Sequence, residues 1–266
     1  MASLKLSQAL RQEYESLFNS CSILSAYQSA VNKNVELLLN NQQRYLAVGN
    51  ELGIHWSFIA VIHNMEASVD FNCHLHNGDS LKRRTVQVPA GRPLKGSPPF
   101  AWEQSAEDAL TMKGLNKATD WSLAGTLYQL ERYNGWGYRT YHQHVFSPYL
   151  WSFSNHYSSG KYIADGTWSD TAKSKQCGAA VLLRRMVEMG LIDFIDQPPP
   201  RPNDAPLLVS FSTKKSPDKH IIKQAELLQT WLNSFPGIFL RVDGIPGRRT
   251  ADAYKKVTGG SLPGDK

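Results

Sequence analysis

Apolar residues recur at helical spacing from Leu6 to Val48, first in "LRQEYESLF" and again in "YQSAVNKNVELLLNNQQRYLAV", with no proline between them. Two helices are predicted there. The next stretch, "GIHWSFIAVIHNME", is apolar almost without a break, which predicts a central helix buried on every side. After Asp70 the period changes to two: Phe71, Cys73 and Leu75 alternate with Asn72, His74 and His76, and Asn77-Gly78 is a strong hairpin-turn signal. A small β-hairpin is expected at that point.

Further along, "VPAGRPLKGSPPF" is punctuated by proline and glycine and reads as loop. Helical spacing resumes in "WEQSAEDALTMKGL" and in "SLAGTLYQLERY", the second stopped by the glycines of "NGWGYR". "SPYLWSFSNHYSSGKYIADG" is aromatic and irregular, and "KSKQCGAAVLLRRMVEMGL" predicts one more helix. "DQPPPRPNDAP" has the composition of a linker. Beyond it, "IIKQAELLQTWLNSF" is an amphipathic helix, "RVDGIPG" a turn and "RRTADAYKKVTG" a second short helix. The expected layout is a mainly α domain over 1–195 with one small β-hairpin, a linker over 196–206, and a small helical module over 207–266.

Composition narrows the partners. The chain has 266 residues, a formal net charge of +6 and a pI of about 9.1, which favours polyanions such as nucleic acid, an anionic membrane or a bacterial wall. Its Lys and Arg are scattered and no zinc-finger, basic-helix or aromatic RNA-binding signature is present, so nucleic acid is not expected. Cys21, Cys73 and Cys177 are far apart and in no metal-ligand spacing, and read as reduced thiols. The first twenty residues carry Glu13 and Glu15 and no continuous apolar stretch, which is neither a signal peptide nor a membrane span. Synthesis in the cytoplasm, a monomer, no cofactor and no stable membrane insertion are expected.

One residue breaks the apolar run of the central helix. With Ile59 set to zero and about 100° per residue, Ile62 falls at about 300°, Glu66 at about 340° and His63 at about 40°, so Glu66 shares a face with core residues. Desolvation raises a carboxyl pKa, and a carboxylic acid still protonated near neutrality is what general-acid cleavage of a glycosidic bond requires. Asp70, four residues on, pushes the same way if the helix reaches it. A second carboxylate, Asp79, follows the hairpin turn, where it can flank a cleft opposite the helix end. The blander alternatives are a paired Glu66 and an Asp79 serving ordinary turn chemistry.

Aromatic residues supply an independent hint. Tyr133, Trp136, Tyr138, Tyr149, Trp151 and Tyr157 crowd a stretch rich in Gly, Ser and Asn, where flat apolar rings beside polar groups suit pyranose faces; core packing is the alternative for each ring taken singly. His63, His74, His76 and Asp70 raise the rival of a metal site, but no further ligand stands at a usual spacing, so solvated or cleft-lining histidines, His76 among the latter, are expected and no metal.

A Glu at the end of a buried helix followed by a short hairpin resembles the lysozyme-like superfamily, above all goose-type lysozymes and lytic transglycosylases. "ERYNGWGY", Glu131 to Tyr138, is similar to the A-Y-N-x-G segment whose Tyr and Asn line the cleft of those enzymes. The resemblance implies that Glu66 is the acid, that Tyr133 and Asn134 contact the reacting sugar, and that Asp79, alone or with Asp70, activates water. The family's G-L-M-Q segment is missing between Glu66 and Tyr133, its place taken by the proline-rich loop and "FAWEQSAEDAL".

The last sixty residues resemble the small helical peptidoglycan-binding domain, whose L-Q-x-x-L and D-G-x-x-G-x-x-T signatures are matched by Leu228, Gln229, Leu232, Asp243, Gly244, Gly247 and Thr250, with Ala253 following. Gly244 and Gly247 allow a tight turn and Thr250 is placed to cap the helix after it. Together the two resemblances imply a muramidase that cuts the β-1,4 bond between N-acetylmuramic acid and N-acetylglucosamine in the bacterial wall, by hydrolysis. The alternatives are a lytic transglycosylase, a chitinase-like glycosidase, or a wall-binding protein without catalysis.

Overall fold

The computed structural model describes residues 4–164, 166–194, 209–235 and 237–265. The expected linker, 196–206, lies outside the described residues. The chain is mainly helical with one small antiparallel sheet, as its periodicity predicts.

The N-terminal part wraps a central helix. In chain order come α1 (Gln8–Asn19), α2 (Gln28–Asn40), α3 (Gln42–Leu52) and α4 (Trp56–Ala67). They are followed by α5 (Trp102–Met112), α6 (Leu123–Asn134), α7 (Gly137–Tyr141) and α8 (Pro148–Trp151), then β1 (Lys161–Ala164), β2 (Thr167–Ser169) and α9 (Ala179–Glu188). Every residue of α4 from Trp56 to Asn64 is buried, because α2, α3, α6 and α9 pack around it. This explains its apolar character on all faces. Two helices were expected before α4; three form, because Asn41 breaks the second predicted run between α2 and α3. Among the described residues no single helix is long and apolar enough to cross a membrane.

The segment after α4 departs from the expected hairpin. Only one bridge forms there, Cys73 to Ser80, closing a tight turn in which His74 N donates to Asp79 O and Gly78 N donates to His74 O. The alternation misleads because residues of both its sets, His74 and His76 as well as Leu75, are buried. The two-stranded sheet lies instead at β1 and β2, with Tyr162 opposite Trp168.

In the C-terminal part, α10 (Lys219–Leu232) and α11 (Arg248–Thr258) enclose a second apolar core of Leu228, Leu232, Ala253 and Tyr254. Gln229 organises it. Its buried amide nitrogen donates to Asp243 Oδ1, Ile245 O and Thr250 Oγ1, while its oxygen accepts from the amides of Asp243 and Gly244. Gly244 has φ of 73°, and a Cβ there would meet Ile222 Cγ2 at 2.6 Å, so both conformation and space require glycine. Thr250 does not cap α11; it sits at the helix's third residue and is spent on Gln229.

This part is docked on the first. Phe239 belongs to the N-terminal core, with its ring edge-on to Phe18 at 5.3 Å. The buried Arg184 of α9 donates to Phe18 O, Leu240 O and Glu188, and Arg249 of α11 donates to Val187 O. Among the described residues the buried apolar side chains form two clusters, and Phe239 belongs to the first of them.

Candidate active site

Glu66 stands one residue before the end of α4, where the chain turns sharply. Ser68 and Val69 both have positive φ, 50° and 63°. For a β-branched residue this is costly, and such strain collects at sites where the surroundings dictate the backbone. Amides of both residues close the helix on Asn64 O and His63 O. Gln176, from the loop before α9, adds its side-chain nitrogen to the carbonyls of Asn64 and Met65 at 3.0 and 2.9 Å. The helix end is therefore held from two sides, and the Glu66 side chain is aimed by a fixed backbone.

Burial raises the Glu66 carboxyl from its ordinary value to about 7. Its place at a helix C-terminus, where the peptide dipoles end in partial negative charge, pushes the same way. Two groups oppose the rise: the Tyr149 hydroxyl, which donates to Oε1 at 2.9 Å, and the Lys113 ammonium, whose charge favours the carboxylate. Lys113 lies over the Tyr133 ring, 4.6 Å from its centroid, and burial lowers its own pKa. The sequence marked neither Lys113 nor Gln176, since each reaches Glu66 or its helix only across long chain separations.

A second buried carboxylate shows what Glu66 lacks. Glu131, on α6, accepts from the Tyr14 hydroxyl and from Arg139 Nε at 2.8 Å, so its burial is explained by an ion pair. Among the described residues no cation is bonded to Glu66, and its hydrogen-bond partner is the Tyr149 phenol.

Beside Glu66 opens a cleft of about 500 Å³, lined among others by Met65, Asn134, Tyr138, Tyr149, Tyr162 and Gln176. Its far wall includes the β1–β2 hairpin, where Tyr138, Tyr162 and Trp168 meet edge to face. His142 stacks flat on Trp168, ring centroids 3.4 Å apart. Glycine-bearing turns and aromatic walls of this kind suit a chain of sugar rings. Among the residues expected at a sugar site, Asn134, Tyr138 and Tyr149 line this cleft. Tyr133 lies behind it, buried, with its hydroxyl donated to Leu75 O at 3.0 Å and its ring under Lys113. It ties α6 to the turn after α4 and does not line the cleft where a sugar contact is expected of it.

Two expectations need correction. Trp151 is 1 % exposed, packed in the core where α8 meets α9 and edge-on to His156, so no sugar can reach its ring. His76 is also enclosed: Nε2 donates to Asp108 Oδ2 at 2.8 Å, and Asp108 is clamped by Arg92. It fixes the loop after the turn to α5 and does not line the cleft.

The carboxylates of the turn are placed differently from each other. Gly78 approaches so closely that a Cβ there would stand 2.9 Å from the Glu66 carbonyl oxygen, which sets the turn against the helix end. Asp79 follows directly. Its Oδ2 accepts from Val86 N, Gln87 N and Asn77 Nδ2 at 2.7, 3.0 and 3.1 Å, and these amides hold its pKa below the usual value. Among the described residues nothing donates to its Oδ1. Asp70 is exposed and curls onto Asn72 and Cys73 within its own turn, which also lowers its pKa.

The remaining histidines are occupied. His63 Nε2 lies within hydrogen-bond distance of Trp102 Nε1 at 3.1 Å and of Asp70 O at 3.2 Å, and its Nδ1 pairs with the Tyr45 hydroxyl at 3.0 Å. Burial lowers its pKa to about 4, so it stays neutral. His74 bridges Ser105 Oγ and Arg83 O. Among the described residues no group of three or more His, Cys, Asp or Glu is arranged to hold a metal ion.

No protein-family model matches the chain, and neither a curated protein nor a solved structure does. The chemistry rests on the geometry: one carboxyl raised to about 7 at the edge of an aromatic cleft, and one carboxylate held below its usual pKa on the turn set against the same helix end.

Proposed function

We propose that the protein is a glycosidase that cleaves the β-1,4 bond between N-acetylmuramic acid and N-acetylglucosamine in peptidoglycan, with Glu66 as general acid. The observation that carries this is the Glu66 carboxyl, raised to about 7 by burial and bonded to Tyr149 at the edge of a cleft lined by tyrosines. In that state it holds a proton at neutral pH and can pass it to a leaving glycosidic oxygen. Asp79, ionised and oriented through Oδ2, offers its open Oδ1 to a water on the opposite face of the sugar, which makes hydrolysis the leading outcome. The basic surface and the C-terminal module, with its Gln229-centred turn, favour a bacterial wall as substrate.

A second outcome on the same bond has one observation in its favour. Asp79 already anchors three donors, and a Glu66 with a pKa near 7 can both give and take a proton, so Glu66 acting alone would make the protein a lytic transglycosylase. Clearing of a purified wall suspension tests the proposal. The wild-type chain should clear it and Glu66→Gln should not, by a factor of about 10²–10⁴. Sedimentation with walls without clearing would instead mark a binding protein.

A further inference from the structure

The loop between the turn and α5 has no part in the cleft, yet it is built with care and presents an unusual surface. Three aliphatic side chains stand at its exterior: Val86, Val88 and Leu94 are 62 %, 90 % and 69 % exposed. Single exposed aliphatic residues are ordinary on protein surfaces, but three on one short loop are not explained by the fold. The same loop, from Ser80 to Phe100, carries five cations and no acid. Of these, Lys82, Arg83 and Lys95 are exposed to solvent.

The exposure does not come from a slack segment. Asp79 Oδ2 grips the amides of Val86 and Gln87. Thr85 pairs with Arg92 through backbone and side chain, at 2.8 and 2.9 Å. Arg92 is fixed to Asp108, and Arg84 donates to Gly96 O at 2.7 Å. The acids packed against the loop, Asp79 and Asp108, are thus turned inward and spent on its own amides and on Arg92. The charged side chains that face outward are all cations, and they stand with the three aliphatic tips on a braced frame.

We propose that this loop is a membrane-docking element that seats its Val86, Val88 and Leu94 tips among the acyl chains of an anionic phospholipid bilayer while Lys82, Arg83 and Lys95 engage the headgroups. Cations alone would serve any polyanion, including wall polymers. The aliphatic tips are what favour lipid, since they gain only where apolar volume is offered to them. A braced loop also binds without first losing the entropy of ordering itself. The contact is peripheral and involves no spanning helix. It is independent of the role given to Glu66, because a vesicle contains no glycan.

The test is co-sedimentation of the full chain with vesicles of phosphatidylcholine alone or of equal parts phosphatidylcholine and phosphatidylglycerol, at physiological salt. Three exposed cations at about fivefold each predict a preference of about a hundredfold for the anionic vesicles. The triple variant Val86→Ser, Val88→Ser, Leu94→Ser should lose affinity by about tenfold or more while its thermal midpoint stays within a few degrees, because most of each tip is exposed and outside the core. Lys82→Gln with Arg83→Gln and Lys95→Gln should abolish the preference between vesicles. A wild-type chain that sediments with neither vesicle would overturn the proposal. So would a triple serine variant that binds anionic vesicles as tightly as wild type, which would assign the surface to polyanions in general.

Discussion

Tyr149 donates its hydroxyl to Glu66 at 2.9 Å although the two residues are separated by 83 positions in the chain. Burial raises the carboxyl and the phenol restrains that rise, with Lys113 helping it. The acid is therefore set by a balance between desolvation and two named side chains, and each can be removed singly.

Tyr149→Phe removes a hydrogen bond that favours the carboxylate, so the pKa of Glu66 should rise further. A general acid acts only while protonated, and the alkaline limb of kcat/KM should move to higher pH by up to about one unit. Lys113→Met should move it in the same direction. A pH–rate profile on a soluble glycan oligomer reads both shifts, and an unmoved limb would detach these residues from the acid.

Glu66→Gln should change stability as well as activity. The folded pKa of about 7 exceeds the ordinary 4.5, so the native state binds more protons than the unfolded state between those values. Wild-type stability should fall as pH rises through that window. The amide does not titrate, so the variant should gain on wild type from pH 4.5 to 7, by at most about 3 kcal/mol. Urea denaturation at both ends of the window measures the difference.

Asp79→Asn removes a charge that holds the amides of Val86 and Gln87. Hydrogen exchange at those two amides should quicken by about tenfold. If Asp79 also positions water, cleavage of soluble glycan should slow by about 10²-fold. A variant that exchanges faster yet cleaves at the wild-type rate, leaving anhydro-muramic ends, would assign both proton transfers to Glu66.

Phe239→Ala tests how firmly the C-terminal part is seated. Phe239 is buried against Phe18, and its ring lies 5.4 Å from the Arg184 guanidinium. Truncating such a ring costs about 3–5 kcal/mol, which should lower the thermal midpoint and broaden the small-angle scattering profile as the module comes free. Its partners lie on α1 and α9 outside the cleft, so the rate on soluble glycan should stay within about twofold of wild type.

The central helix and its carboxylate are legible in the sequence because a near-continuous apolar run of helix length predicts a buried helix, and a Glu at its end stands out. The turn after it is not. His74 and His76 looked like a polar face, but each finds a partner more than thirty residues away, in Ser105 and Asp108. The pairing of β1 with β2 carries little local signal, because its aromatic residues, Tyr162 and Trp168, stand in a stretch without a clear period of two. Trp151 shows the same limit from the other side: a ring among Ser and Asn looks like a sugar platform until α9 covers it. Glu66's regulators, Lys113, Tyr149 and Gln176, are brought to it by tertiary packing alone, which no local pattern records.

The most direct test of Glu66 as a peptidoglycan-cleaving acid is mass spectrometry of the products released from purified peptidoglycan by the wild-type chain and by Glu66→Gln. Wild type should release muropeptides ending in reducing N-acetylmuramic acid, and the variant should release essentially none. No glycan product from wild type, or the same products at similar yield from Glu66→Gln, would contradict the assignment.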